Sequence, residues 1–248
     1  QSRMCANARS PLTDGIGDAQ CGGFFPAEMR FAGFDGVVVS GRAARPVYLW
    51  LHDGQAELRP ADHLWGQTTS QVDDLLKAEL KDDKVEIAQC GPAGEKLVRL
   101  AAIINMGNRA NGRTGLGAVM GSKNLKAVVV RGSSKSLPWA DPKRINALAK
   151  WGAAEVPNNA DMLGLRNYGT ASVVAFQNSI GSLPTYNYNA GQFDDFEKIS
   201  GEKMADTILK DNDTCYACTV RCKRVVETEH AGRPVERRYG GAEYETIA

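Results

Sequence analysis

The 248-residue sequence predicts an α+β fold, with a β-rich N-terminal domain followed by the start of a helical one. Three observations predict it. Runs of β-branched and aromatic residues bounded by glycine recur in the first half. The stretch 132–142, "GSSKSLPWADP", interrupts them with turn formers. Beyond it glycine thins and apolar residues recur at helical spacing. The domains expected are therefore 1–136 and 137–248.

Taken in order, "FDGVVVSG" (34–41) reads as a strand, and "PVYLWLHDGQAEL" (46–58) as a hairpin turning at Asp53-Gly54. "SQVDDLLKAEL" (70–80) places Val72, Leu75, Leu76 and Leu80 on one helical face, with Ser70 and Asp73 as a capping box. "KVEIAQC" (84–90) and "LKAVVVRG" (125–132) are further strands. Helical periods follow over 142–154, 171–180 and 201–210.

Thirty basic against 29 acidic side chains give a net charge of +1, so neither nucleic acid nor an anionic membrane is expected as a partner. No apolar run approaches the length of a membrane span. Both ends read as the inside of a longer protein, since the chain opens without Met in a Gly/Pro turn cluster. Three of the six cysteines crowd into "CYACTVRC" (215–222), which fits metal ligation in a reducing cytoplasm better than a disulfide framework.

"NRANGRTGLGAVMGSKNLK" (108–126) holds Arg109, Arg113, Lys123 and Lys126 among Gly112, Gly115, Gly117 and Gly121. Glycines let backbone approach a ligand closely, and guanidinium forks bind phosphate in bidentate fashion. A nucleoside-triphosphate loop is excluded because Ser122 intervenes between Gly121 and Lys123. A dinucleotide fingerprint lacks its acidic residue downstream. The stretch suits a phosphorylated cofactor; a plain glycine turn with solvated basic residues is the alternative. A second cluster, Arg3 and Arg9 with Gly15, Gly17, Gly22 and Gly23, offers another wall for the same pocket.

Cys215, Cys218 and Cys222 provide three thiolates at C-x-x-C-x-x-x-C spacing. A zinc ribbon needs a second C-x-x-C or a histidine pair, and of three histidines only His230 is near. An iron–sulfur cluster accepts a close trio and a remote fourth ligand, expected beyond residue 248. Zinc stays open as the lesser reading. Tyr216 and Val220 would shield such a cluster, and Arg221, Lys223 and Arg224 would form a basic rim facing an acidic electron carrier.

Together "SPLTDGIG", "GGFFPAEMRFAGFDGVVVSG", "GPAGEKLVRLAAI", "NRANGRTGLGAVMGSKNLKAVVV", "CYACTVRC" and "GGAEYET" resemble the tungsten-dependent aldehyde:ferredoxin oxidoreductases. The resemblance is collinear over essentially the whole chain. It covers the family's first domain without its opening strands, and the first part of the second. It implies a base of two sheets for a pterin, tungsten (or molybdenum) held by two pterin dithiolenes, a [4Fe-4S] cluster, and a magnesium ion bridging the pterin phosphates. Arg3, Gly22, Gly23, Arg109, Ala110, Gly112 and Arg113 would hold one pterin and its phosphate. Gln20 joins them, standing where the family typically has asparagine. Cys215, Cys218 and Cys222 would hold the cluster, and Glu245 in "EYET" matches the active-site carboxylate. Cys21 reads as a packed thiol without a role.

The implied reaction oxidises a small aldehyde to a carboxylic acid, with Glu245 as general base. Electrons would pass through the cluster to ferredoxin or a dedicated electron-transfer subunit, in a homodimer or larger complex. The chain by itself is expected to be inactive. Two rivals stand beside this reading: the tungsten subunit of a benzoyl-CoA-reducing complex, which shares the scaffold but against which "GGAEYETIA" speaks, and a non-catalytic iron–sulfur module that has lost its pterin, against which the retained arginines and loop glycines argue.

Overall fold

The computed structural model describes residues 3–135 and 137–247, and only the backbone of Glu245 and Ile247. The chain divides into two compact units, Gln1–Pro138 and Trp139–Ala248.

In the first unit β1 (Met4–Arg9) and β2 (Ile16–Cys21) form an antiparallel hairpin. Helix α1 (Phe25–Phe31) follows. The expected second hairpin forms from β3 (Val47–His52) and β4 (Gln55–Pro60), with Asp53 and Gly54 at φ of 45° and 80°. Then come α2 (Thr69–Leu80), β5 (Glu86–Cys90), α3 (Pro92–Glu95), β6 (Ile103–Asn105), β7 (Arg109–Asn111), α4 (Leu116–Ser122) and β8 (Leu125–Arg131). Strands β3 to β8 make one mixed six-stranded sheet in the order β4-β3-β8-β5-β6-β7, in which only the β3/β8 pairing is parallel.

Both faces of that sheet are buried. Tyr48, Trp50, Val85, Ile87, Ala127 and Val129 pack with Val72 and Leu76 of α2. Leu51, Ala88, Cys90 and Val130 pack on the other side with Phe25, Leu116 and Met120. Burial on two sides explains why β8 reads as a near-continuous apolar run.

Several local expectations are corrected. Residues 34–41 form no strand: Val38 is 97% exposed, Gly41 has φ of 72°, and no ladder partner lies alongside among the described residues. The cap of α2 is Thr68 with Gln71, whose Oε1 accepts from Thr68 N at 2.9 Å, two residues before the predicted box. Leu75 is 41% exposed and stands off the buried face.

The second unit begins with α5 (Pro142–Glu155), as its period predicts, and α6 (Ala160–Tyr168). Residues 171–180 split into a 3-10 turn and α7 (Val174–Ser179). The period at 201–210 breaks because α8 (Gly201–Thr207) hands over to β9 (Leu209–Asp213). Strand β9 pairs antiparallel with β10 (Lys223–Val226), and β11 (Thr228–His230) with β12 (Arg233–Val235), before α9 (Tyr244–Ile247). Ala171, Val174, Leu183, Met204 and Val226 form its core.

Candidate functional site

The first unit brings its two glycine–arginine clusters together. Strand β2 alternates exposed and buried residues, so Ala19 and Cys21 face inward and Gln20 outward. The inward residues meet β6 and β7 through a buried polar knot. Cys21 Sγ donates to Asn111 Oδ1 at 3.0 Å, Asn105 Nδ2 reaches Cys21 Sγ at 3.0 Å, and Asn111 Nδ2 donates to the Ala19 carbonyl at 2.6 Å. Cys21 is buried, as expected of a packed thiol, and it ties the hairpin to the sheet.

Met4 pairs with Cys21, which leaves Arg3 and Gly22 at the same end of the hairpin. Gly23 has φ of 120°, and a Cβ there would lie 2.5 Å from Asn105 Oδ1 and 3.5 Å from Arg109 Cγ. Only glycine allows this approach. Asn105 Oδ1 is buried without a hydrogen-bond partner among the described residues.

Arg109 is 7% exposed, with Nη1 donating to Asn108 Oδ1 at 2.7 Å. The next residues turn outward: Ala110, Gly112 and Arg113 are exposed, as are Arg3 and Gln20. A Cβ on Gly112 would meet nothing nearer than Ala110 Cβ at 3.9 Å. Small exposed residues beside guanidinium groups leave an open shelf, and this fits a flat group carrying a phosphate.

The other basic residues of the two clusters already have partners within the protein. Lys126 is fully buried and ion-paired with Glu95, itself held by Gly66 N–H at 2.8 Å. Lys123 donates to the Gly41 carbonyl at 3.1 Å, and Arg9 pairs with Asp14. Nor do the downstream glycines face a ligand. A Cβ on Gly115, Gly117 or Gly121 would stand 2.0, 2.3 and 2.0 Å from the carbonyls of Arg99, Ala102 and Gly94, so these glycines seat α4 on the 94–102 segment.

In the second unit Cys215, Cys218 and Cys222 lie in the loop 214–222 that joins β9 to β10. Cys218 N–H donates to the Cys215 carbonyl at 3.1 Å, and Thr214 Oγ1 donates to the Cys218 carbonyl at 2.7 Å. No disulfide joins the cysteines. Among the described residues no three His, Cys, Asp or Glu side chains stand together as a single metal ion would need. The C-x-x-C pair and the following Cys222 offer three thiols, the donor type an iron–sulfur cluster takes and one fewer than its four ligands.

The predicted surroundings of the loop are corrected. Tyr216 is 39% exposed and shields little. The basic rim does not exist as such: Lys223 pairs with Glu243 at 2.9 Å, Arg221 bonds the Asn212 carbonyl, and Arg224 is fully buried. The side chain of Glu245, the expected general base, lies outside the described residues. Sequence reasoning missed Asn105 and Asn111; their only signal is placement at the ends of β6 and β7, Asn105 just before the "MGN" turn and Asn111 at the far end of β7.

Two family models match: "Aldehyde ferredoxin oxidoreductase, N-terminal domain" over residues 1–132, and "domains 2 & 3" of the same family over 147–248. The chain belongs to the aldehyde ferredoxin oxidoreductase family. It is 42% identical over 240 residues to the tungsten-containing aldehyde ferredoxin oxidoreductase of Pyrococcus furiosus, covering 96% of this chain and 39% of that protein. The Thermococcus kodakarensis enzyme of the same name matches at 42% with the same coverage. The WOR-like subunit of an aliphatic sulfonate oxidoreductase from P. furiosus is 30% identical, over 88% of this chain and 36% of that one. Among solved structures, the active-site complex BamBC of benzoyl coenzyme A reductase with 1,5-dienoyl-CoA superposes with a TM-score of 0.72 at 26% identity, over 92% of this chain and 36% of that chain. The chain therefore spans about two fifths of the length of the curated relatives it matches. No helix among the described residues is long and apolar enough to cross a membrane.

Proposed function

We propose that this chain is the pterin-binding and cluster-binding part of a tungsten-dependent oxidoreductase that converts aldehydes to carboxylic acids. Residues 1–136 form the tungstopterin domain, and 137–248 the first part of the domain carrying the [4Fe-4S] cysteines. The observation that carries this reading is the convergence of Gly22, Gly23 and Arg109 on one knot, with Ala110, Gly112 and Arg113 open beside it.

When bound, the tungstopterin supplies a two-electron acceptor and the cluster a one-electron outlet. The chain's own residues bind and position. Arg113 and Arg3 would offer exposed guanidinium forks to the pterin phosphate, whose charge a magnesium ion would help neutralise. Arg109 holds the shelf from beneath. Gln20 lies on the hairpin's outer face, where its amide can bond the pterin edge. Glu245 takes a proton from water or from the aldehyde hydrate. Ferredoxin, or a dedicated electron-transfer subunit, receives the electrons in the cytoplasm.

The benzoyl coenzyme A reductase likeness supports a second reading, as the tungsten subunit of such a complex, but identity of 42% to the aldehyde enzymes against 26% favours the first. Metal analysis of the complete protein tests the proposal. Tungsten with iron is expected, together with aldehyde-dependent ferredoxin reduction that Glu245→Gln abolishes while tungsten is retained. Iron alone, or zinc alone, would overturn it.

A further inference from the structure

Arg224 is a buried cation that the reaction does not use. Its side chain is fully buried, between α6 and the cysteine loop. Nη1 donates to the Arg166 carbonyl in the last turn of α6, Nη2 donates to the Arg221 carbonyl at 2.7 Å, and Nε has no hydrogen-bond partner among the described residues. Among the described residues no carboxylate pairs with it; the nearby Glu243 is engaged by Lys223 at 2.9 Å and by Thr170 Oγ1 at 2.6 Å. A Cβ on Gly169 would lie 3.1 Å from the Cys222 carbonyl and 3.5 Å from Arg224 Nε, so guanidinium and ligand loop share one small space.

An ion removed from water without a counter-charge is strongly disfavoured. The two carbonyls supply partial charge only. What the site lacks is a full negative charge, and thiolates carrying a cluster have it.

We propose that Arg224 is a positioning residue for the iron–sulfur site, its buried positive charge balancing the cysteine-ligated cluster and holding the reduction potential up. This rests on the iron–sulfur reading of Cys215, Cys218 and Cys222. Adding an electron to a cluster makes it more negative, and a fixed cation close by favours that state.

The test is an EPR-monitored redox titration of the complete protein, with iron and acid-labile sulfide measured on each sample. Arg224→Gln keeps an amide donor for one carbonyl but removes the charge; Arg224→Lys keeps the charge and loses the fork. The expected result is a cluster potential that moves negative in Arg224→Gln and stays near wild type in Arg224→Lys, with iron and sulfide unchanged in both. If Arg224→Gln does not fold, Arg224→Lys decides: a near wild-type potential supports the proposal. A shifted Arg224→Lys potential, an Arg224→Gln potential equal to wild type, or unfolding of both variants overturns it and leaves a structural tie to α6. A wild-type protein without iron and sulfide overturns the cluster reading itself, which is a separate result.

Discussion

At the residue scale, Arg109 and Arg113 look equivalent in sequence and are not. Arg109 is buried against Gly23, whereas Arg113 projects from the exposed side of the turn. Truncating a buried charged side chain removes packing and strands its partners, while an exposed one loses only its ligand contact. Arg113→Ala is therefore expected to release pterin while leaving the melting temperature within a degree or two. Arg109→Ala is expected to lower both pterin content and melting temperature. Paired calorimetry and pterin fluorescence check this, and full pterin occupancy in Arg113→Ala would remove that residue from the site. The arginines stand out in the sequence because arginine among glycines is a phosphate pattern. The supporting amides Asn105 and Asn111 were not, because each bonds to a residue more than 80 positions away, Cys21 or Ala19.

At the element scale, helix α4 and the three-residue strand β7 were read as one basic glycine loop. Strands that short carry almost no periodic signal; β7 exists because β6 supplies its ladder, and β6 because β5 supplies its own. Glycines 115, 117 and 121 were legible as glycines but serve close packing of helix on backbone. Lys126 shows the same reversal. It was expected to meet an anionic ligand; it sits in β8 with 0% of its side chain exposed, paired to a Glu95 that is 4% exposed. Removing one member of a buried pair leaves the other charge uncompensated, at a cost of roughly 3–5 kcal/mol. Lys126→Met should lower urea stability by about that amount, and adding Glu95→Gln should recover much of it. An unchanged midpoint in Lys126→Met would show that the pair contributes nothing.

At the scale of the whole molecule, stability should depend on pH through Glu86. Burial, the largest influence, pushes its carboxyl up from 4.5 to about 7, with Asp73 and Glu28 adding to the rise and Lys77 and Lys135 opposing it. The raised value means that the folded state prefers the protonated form, so stability is present at acid pH and is lost as pH climbs from about 4.5 through about 7. Glu86→Gln, which mimics the protonated form, should stabilise by roughly 1–3 kcal/mol at pH 8 and hardly at all at pH 4.5. Equal gains at both pH values would show that the carboxyl ionises normally. The sequence by itself determined the hairpin at Asp53-Gly54 and strands β5 and β8, and it supplied the residue types on which the proposed anionic cofactor and thiolate-bound cluster rest, since those follow from local chemistry and spacing. Tertiary structure decided which basic residues remain open to a ligand, which glycines serve packing, and that Arg224 is buried beside the cysteines. Those outcomes depend on contacts between distant segments, and local spacing carries no record of them.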